Sequence, residues 1–252
     1  MKPNGLDEPD RGRREVVVFI GSLAVGVFGC GGESTSSPTS PTTPTPTPAT
    51  SSSPSATGCV VRPQLTEGPY FVDERLNRSD IRTDTDGSAR PGVPLRLTFR
   101  VTRSSAGACA ALAGAFVDVW HCDALGVYSD VADMGFNTRG TKFLRGYQAT
   151  DASGVAQFTT IFPGWYSGRA VHIHFKIRTS LTGSGYEFTS QLFFDEAAIA
   201  AVFAQAPYNG KGRADTTNAS DGIYRGGGSQ LLLSLANEGA GYGATFDIAL
   251  QF

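Results

Sequence analysis

From residue 93 onward, short runs rich in β-branched and aromatic residues recur between turn signals, and this pattern most restricts the fold. The runs are "VPLRLTFRVTR" (93–103), "AFVDVWHC" (115–122), "VAQFTTIF" (155–162), "AVHIHFKIRT" (170–179), "EFTSQLFF" (187–194), "SQLLLSL" (229–235) and "ATFDIALQF" (244–252). Stretches such as "TDTDG", "CDALG" and "TDASG" separate several of them. In such turns Asp bonds to its own nearby backbone and Gly supplies positive φ. Short strands at this spacing predict an all-β fold, an antiparallel β-sandwich with long loops. Only "DEAAIAAVFAQ" (195–205) reads as a helix, a single short one.

The region before these runs has a different character. Lys2, Arg11, Arg13 and Arg14 precede the uncharged apolar stretch "VVVFIGSLAVGVF" (16–28). That stretch is too short to span a membrane and suits the apolar core of a signal peptide. It runs into "VFGC", which resembles a bacterial lipobox, so residues 1–30 are expected to be a signal peptide with Cys30 as the lipidated residue. Arg13-Arg14 resembles a twin-arginine signal, and the choice between export routes stays open. Residues 31–58 are Ser, Thr and Pro with almost no apolar side chain. Such a segment cannot bury enough surface to offset its ordering entropy, so a disordered, semi-extended linker is expected. Together these predict an exported domain held to a bacterial membrane only through its lipid, periplasmic or at the cell surface.

Residues 59–252 remain, enough for one well-buried core. The 21 basic and 23 acidic residues nearly balance, and no basic run occurs after residue 30, which argues against nucleic acid as a partner. With Cys30 lipidated, Cys59, Cys109 and Cys122 are left in an oxidising compartment. Cys122 ends an apolar run, where a small buried residue is ordinary. Cys59 and Cys109 sit in loops, so a Cys59–Cys109 disulfide is expected, with Cys109–Cys122 as the alternative.

Two of the three histidines, His172 and His174, stand one residue apart inside a strand-like run. Residues i and i+2 of a strand share a face, so both imidazoles point one way and Val171, Ile173 and Phe175 the other. Paired imidazoles suit iron, zinc or copper, but this spacing occurs equally in hydrogen-bonded sheet histidines. Three completions are available. A zinc site would recruit His121. A ferrous facial triad wants a nearby acid, and none follows before Glu187. The third completion uses Tyr166, in "PGWY", and Tyr128, in "GVYSD".

The segments "TEGPYF", "VDVWHCDALGVYSD", "TDASGVAQFTTIFPGWYSGRAVHIHF" and "TSQLFF" together resemble the intradiol ring-cleavage dioxygenases, the family of protocatechuate 3,4-dioxygenase and catechol 1,2-dioxygenase. The resemblance covers nearly all of residues 59–252, in the family's motif order. It implies a non-haem Fe(III) site with Tyr128, Tyr166, His172 and His174 as ligands. It implies catalytic roles for Tyr166, Arg169 and Gln191, with Arg169 facing the substrate. Pro69 and Tyr70 are expected to border the substrate pocket, with a core position as the alternative for Tyr70. Two phenolates and a hydroxide would balance the ion's charge, which allows such a site to be buried.

The implied reaction binds a catechol through both oxygens. Tyr166 and the hydroxide take its two protons, Arg169 stabilises developing charge, and O2 is added. Cleavage between the two hydroxylated carbons gives a muconate-type diacid. The resemblance assigns His121 no ligand role, and a structural one is expected. No helical dimerisation segment like that of catechol 1,2-dioxygenases precedes the catalytic motifs, so the catechol used and the oligomeric state stay open. Two other readings remain: a non-catalytic β-sandwich binding module, and a zinc enzyme using His121, His172 and His174.

Overall fold

The computed structural model describes residues 59–106 and 108–252; the apolar segment, Cys30 and the Ser/Thr/Pro stretch lie outside the described residues. Strand β1 (Pro94–Ser105) shows how the sequence selects the architecture. Leu95, Leu97, Phe99 and Val101 point inward and are buried, while Arg96 and Arg100 on the alternate face are exposed. One edge of β1 pairs with β11 (Gly241–Leu250), and the other pairs first with β7 (Val155–Ile161) and then with β2 (Ala108–Ala111). β10 (Leu235–Glu238) flanks β11. The second sheet is four-stranded, in the order β6 (Arg145–Ala149), β3 (Phe116–Trp120), β8 (His172–Arg178), β9 (Glu187–Phe193). A two-stranded hairpin, β4 (Ala132–Asp133) and β5 (Phe136–Asn137), stands apart.

The sheets pack face to face through aromatic rings. Phe175 of β8 lies 5.3 Å from Phe99 of β1 and 5.5 Å from Phe246 of β11, centroid to centroid. All three side chains are at most 2 % exposed. Replacing Phe175 by Ala would leave a cavity between the sheets and cost about 3–5 kcal/mol.

The expected sandwich is present, with three refinements. The β1–β11 pair is parallel, whereas the strand pattern suggested antiparallel pairing throughout. "SQLLLSL" is not one strand: Gly228–Leu231 forms a 3₁₀ turn, and Leu232 makes only an isolated bridge with Phe193. Leu231 and Leu233 are buried around exposed Leu232, so the run alternates like a strand without a ladder. Besides the expected helix α1 (Glu196–Phe203), a second helical turn, α2 (Gly222–Arg225), starts at Asp221. The Asp221 carboxylate accepts from the Ile223 and Tyr224 amides, satisfying N–H groups that a helix start leaves free.

Strand β8 is buried along its whole length, although His172, His174, Lys176 and Arg178 occupy its outer face. The cover is a strap formed by residues 63–81. Its Leu65 amide donates to Thr189 of β9 at 3.1 Å; Gly68 then abuts His174 of β8, and Phe71 packs against Trp120 of β3, centroids 4.8 Å apart and planes tilted by 59°. Leu76 and Arg78 pair with Tyr147 of β6, and Ser79 and Ile81 with Thr159 of β7. Thus one segment crosses the outer face strand by strand. Arg178 pins it, holding Asp118 of the sheet and Asp73 of the strap, at 2.8 and 3.1 Å. The Cys59–Cys109 disulfide fixes the start of this region to β2, as expected, and Cys122 is a free, buried thiol pushed up to about 12 by burial.

Candidate metal centre

The site lies on the outer face of the four-stranded sheet, between that face and the strap. Strand register brings Arg145, Trp120, His174 and Gln191 into one row across it. His172 and His174 project from the same face, with their Nε2 atoms 3.0 Å apart. The His172 Nδ1–H donates to the Ala170 carbonyl at 2.6 Å. A carbonyl only accepts, so this bond fixes the tautomer and leaves Nε2 with its lone pair. No such bond holds His174; its ring instead lies flat on the Trp120 indole, 5.0 Å away and 8° from parallel.

Two loops bring the tyrosines. The first is shaped by Asp123, whose carboxylate accepts from the Leu125 and Val127 amides. Gly126 sits there at φ +83°, and a Cβ on it would fall 2.1 Å from the Trp165 carbonyl of the second loop. Only glycine lets the two loops touch. Tyr128 follows, fully buried, and Arg145 secures its neighbour by donating to the Ser129 carbonyl. The second loop places Tyr166 with its hydroxyl 3.2 Å from His172 Nε2. The two tyrosine rings are 5.6 Å apart, and Tyr128 stands 6.3 Å from His174.

Tyr70 closes the assembly from the strap, stacked on Tyr128 at 4.5 Å and edge-on to Tyr166 at 5.9 Å. With Pro69 it lines an open cleft of about 540 Å³, whose far wall is formed by Asp130, Val131, Ala132, Asp133 and Arg139. Tyr70 also hydrogen-bonds to Asp133. Arg169 donates from Nε to Asp221 at 2.9 Å and from its terminal nitrogen to the Gln191 side chain at 2.5 Å. Gln191 is fully buried, and its amide nitrogen donates to the Thr66 carbonyl of the strap at 2.8 Å. Both ends of Gln191 are therefore committed to holding neighbours.

His121 behaves as a structural histidine. Its Nδ1–H donates to the Cys122 carbonyl at 2.8 Å, and its Nε2 accepts from Thr160 at 2.7 Å. Burial pushes it down to about 4, so the ring is neutral. With both nitrogens occupied, it cannot complete a three-histidine zinc site. Among the described residues no cluster of three His, Cys, Asp or Glu side chains forms one either.

A family model for dioxygenases matches residues 66–251. This chain belongs to the intradiol ring-cleavage dioxygenase family. An intradiol ring-cleavage dioxygenase from Tetranychus urticae is 30% identical over 76% of this chain and 94% of its own, with a TM-score of 0.66. The dioxygenase domain of a dioxygenase–carbohydrate-binding fusion from Streptomyces sp. SirexAA-E is 29% identical, covering 76% of this chain and 98% of its own, with a TM-score of 0.52. Among curated proteins, chlorocatechol 1,2-dioxygenase from Pseudomonas putida is 28% identical over 148 residues, 51% of this chain. That match spans about half of the curated relative's length, 52%.

The donor set of Tyr128, Tyr166, His172 and His174 fits a hard, highly charged cation. The Tyr128 hydroxyl is buried with no hydrogen-bond partner, a costly arrangement unless something else occupies its lone pairs. Burial drives Tyr128 well above the usual phenol value and pushes Tyr166 up to about 12. Burial likewise pushes His172 down to about 3 and His174 well below its usual value. All four groups are therefore neutral on their own, and a trivalent ion reverses the balance at the phenols. The site is also built from residues that no local motif announces: Trp120 behind His174, the Thr66 and Ala170 carbonyls, and Asp221.

Proposed function

We propose that this protein is a non-haem Fe(III) dioxygenase that adds O2 to a catechol and cleaves the ring between its two hydroxylated carbons. The product class is a muconate-type diacid. The observation that carries this reading is the convergence of Tyr128, Tyr166, His172 and His174 behind Tyr70, in a chain whose family acts on catechol rings. Tyr128, Tyr166, His172 and His174 are the residues that would hold the iron. Ferric iron, when bound, would supply a Lewis-acid centre that engages both catechol oxygens and draws electron density from the ring.

The chain's own residues do the rest. Tyr166 is the least buried of the four donors, and as a phenolate it accepts a catechol proton at Oη. His172 and His174 stay neutral and so add no charge to the site. Arg169, held in place by Asp221 and Gln191, presents a fixed cation to the anionic substrate. Pro69 and Tyr70 form the wall against which a planar ring can stack, and the strap keeps water from the sheet face.

The export reading belongs to the same proposal: Cys30 is lipidated, and residues 31–58 tether the domain to a bacterial membrane. Its support is the apolar stretch that ends in "VFGC" and the Ser/Thr/Pro composition after it. Assay of the iron-loaded protein with catechol decides the enzymatic reading. Oxygen uptake, a visible ferric–tyrosinate band and cis,cis-muconate are expected. A colourless protein that consumes no oxygen with any catechol after iron is supplied would overturn it.

A further inference from the structure

Beyond the donors themselves, one carboxylate ties together three parts of the site. Asp221 is 2 % exposed and lies far along the chain from every motif described above. Its Oδ2 accepts from Arg169 Nε at 2.9 Å and from the Ala170 amide at 2.8 Å. Its Oδ1 accepts from the Ile223 and Tyr224 amides at 2.6 and 3.1 Å, the cap of α2. Both oxygens are thereby saturated. Ala170 in turn is held at both of its backbone polar groups: its amide by Asp221, and its carbonyl by the His172 Nδ1–H.

We propose that Asp221 is a positioning residue that sets two functional groups at once: the guanidinium of Arg169 and, through Ala170, the ring of His172. This rests on the ferric dioxygenase reading for its consequence in turnover. Arg169 sits on a loop, and a free arginine side chain has many rotamers. Asp221 from one side and Gln191 from the other fix the planar fork in one orientation. The bond from Nδ1 to a backbone carbonyl orients the histidine and fixes which nitrogen is free, and Asp221 steadies the residue that carries that carbonyl. The capped turn α2 makes the carboxylate a rigid post.

The test separates positioning from simple capping. Asp221→Ser keeps a side-chain oxygen able to cap α2 but removes the carboxylate that meets Arg169 and Ala170. Asp221→Asn, nearly equal in volume, places an amide where two donors converge and serves as the second variant. In the iron-free parent, the His172 Nδ1–H should give a slowly exchanging proton resonance, and both variants should lose or broaden it. In the iron-loaded protein assayed with catechol, both variants should shift the visible band and lower kcat by roughly 10–100-fold. Adding Arg169→Ala to either should lower kcat by much less than the product of the single losses, because the two residues act as one unit. Unchanged resonance, band and kcat, with only a lower Tm, would reduce Asp221 to a helix cap and overturn the proposal. So would losses that simply multiply with those of Arg169→Ala. If the parent itself fails to turn over catechol, the functional reading fails, while the proton resonance still decides whether Asp221 orients His172.

Discussion

The imidazole of His174 lies flat against the indole of Trp120, with ring centroids 5.0 Å apart and planes 8° from parallel. The two histidines of the candidate centre are thus oriented by different means. His172 is fixed by a hydrogen bond and His174 by packing, its Nδ1 having no partner. A packed ring is freer to rotate once its neighbour is removed. Trp120→Leu should therefore weaken iron binding by roughly 10–100-fold, whereas Trp120→Phe, which keeps an aromatic face, should lose much less. Iron-release rates with a chelator measure this, and equal release from both variants would remove the stacking argument.

The four donors should not behave alike. Tyr128→Phe, His172→Ala and His174→Ala each delete a buried atom proposed to hold the iron, and should yield protein with little iron and little visible colour. Tyr166→Phe should retain iron yet react poorly, because this phenol is both a donor and a proton acceptor. Metal analysis of the purified variants distinguishes the two outcomes, and full colour in Tyr128→Phe would contradict the assignment.

Arg169→Ala should keep the iron and the colour change on adding catechol, while kcat falls by about 10²–10³-fold, the usual loss for one fixed charge-stabilising group. A change confined to KM would instead make Arg169 a simple binding group.

His121 should make the domain acid-sensitive. Burial holds the folded ring down at about 4, below the unfolded value of roughly 6.5. Between those values the unfolded chain binds a proton that the folded ring does not. Stability is therefore full above about pH 6.5 and falls as the pH drops toward 4, by about 3 kcal/mol if nothing relaxes. Thermal melts of the iron-loaded parent and of His121→Gln across this window should show a shallower slope in the variant. Parallel curves would mean that His121 does not carry the effect.

Reduction of the Cys59–Cys109 bond, which spans a sequence separation of 50, should lower stability by about 4 kcal/mol through the larger freedom of the unfolded chain. Denaturant melts with and without reductant give this number directly. A shift under about 1 kcal/mol would show that the unfolded state is already compact there.

The four residues that meet at the candidate centre were legible because each sits in a short local pattern: "GVY", "PGWY" and "HIH" are strand ends and turns whose chemistry is contained in a few neighbouring residues. The strands with the clearer alternation, β1 and β7, were legible for the same reason. β6 was not, since "RGYQA" has an arginine that is buried because it serves Ser129 rather than because it is apolar. Nor was α2, whose start depends on Asp221, while the worth of Asp221 depends on Arg169 at a sequence separation of 52. The strap reads as loop because its partners are the polar face of a sheet far along the chain. Long-range pairing of polar groups leaves no periodic trace for a sequence to display.

The clamp between Cys59 and β2 has a mechanical consequence. A pull applied to the chain ahead of Cys59 passes through the sulfur bridge into the end of β1 and its partner β2, where strands are already laddered. The strap begins after that point, so tension arriving from the N-terminal side is shunted past it. The bridge, with the pairing of Val60 and Val61 to Ala249 of β11 just after it, takes up such a load ahead of the segment that roofs the site, so the site can stay closed while the chain ahead of it is drawn taut.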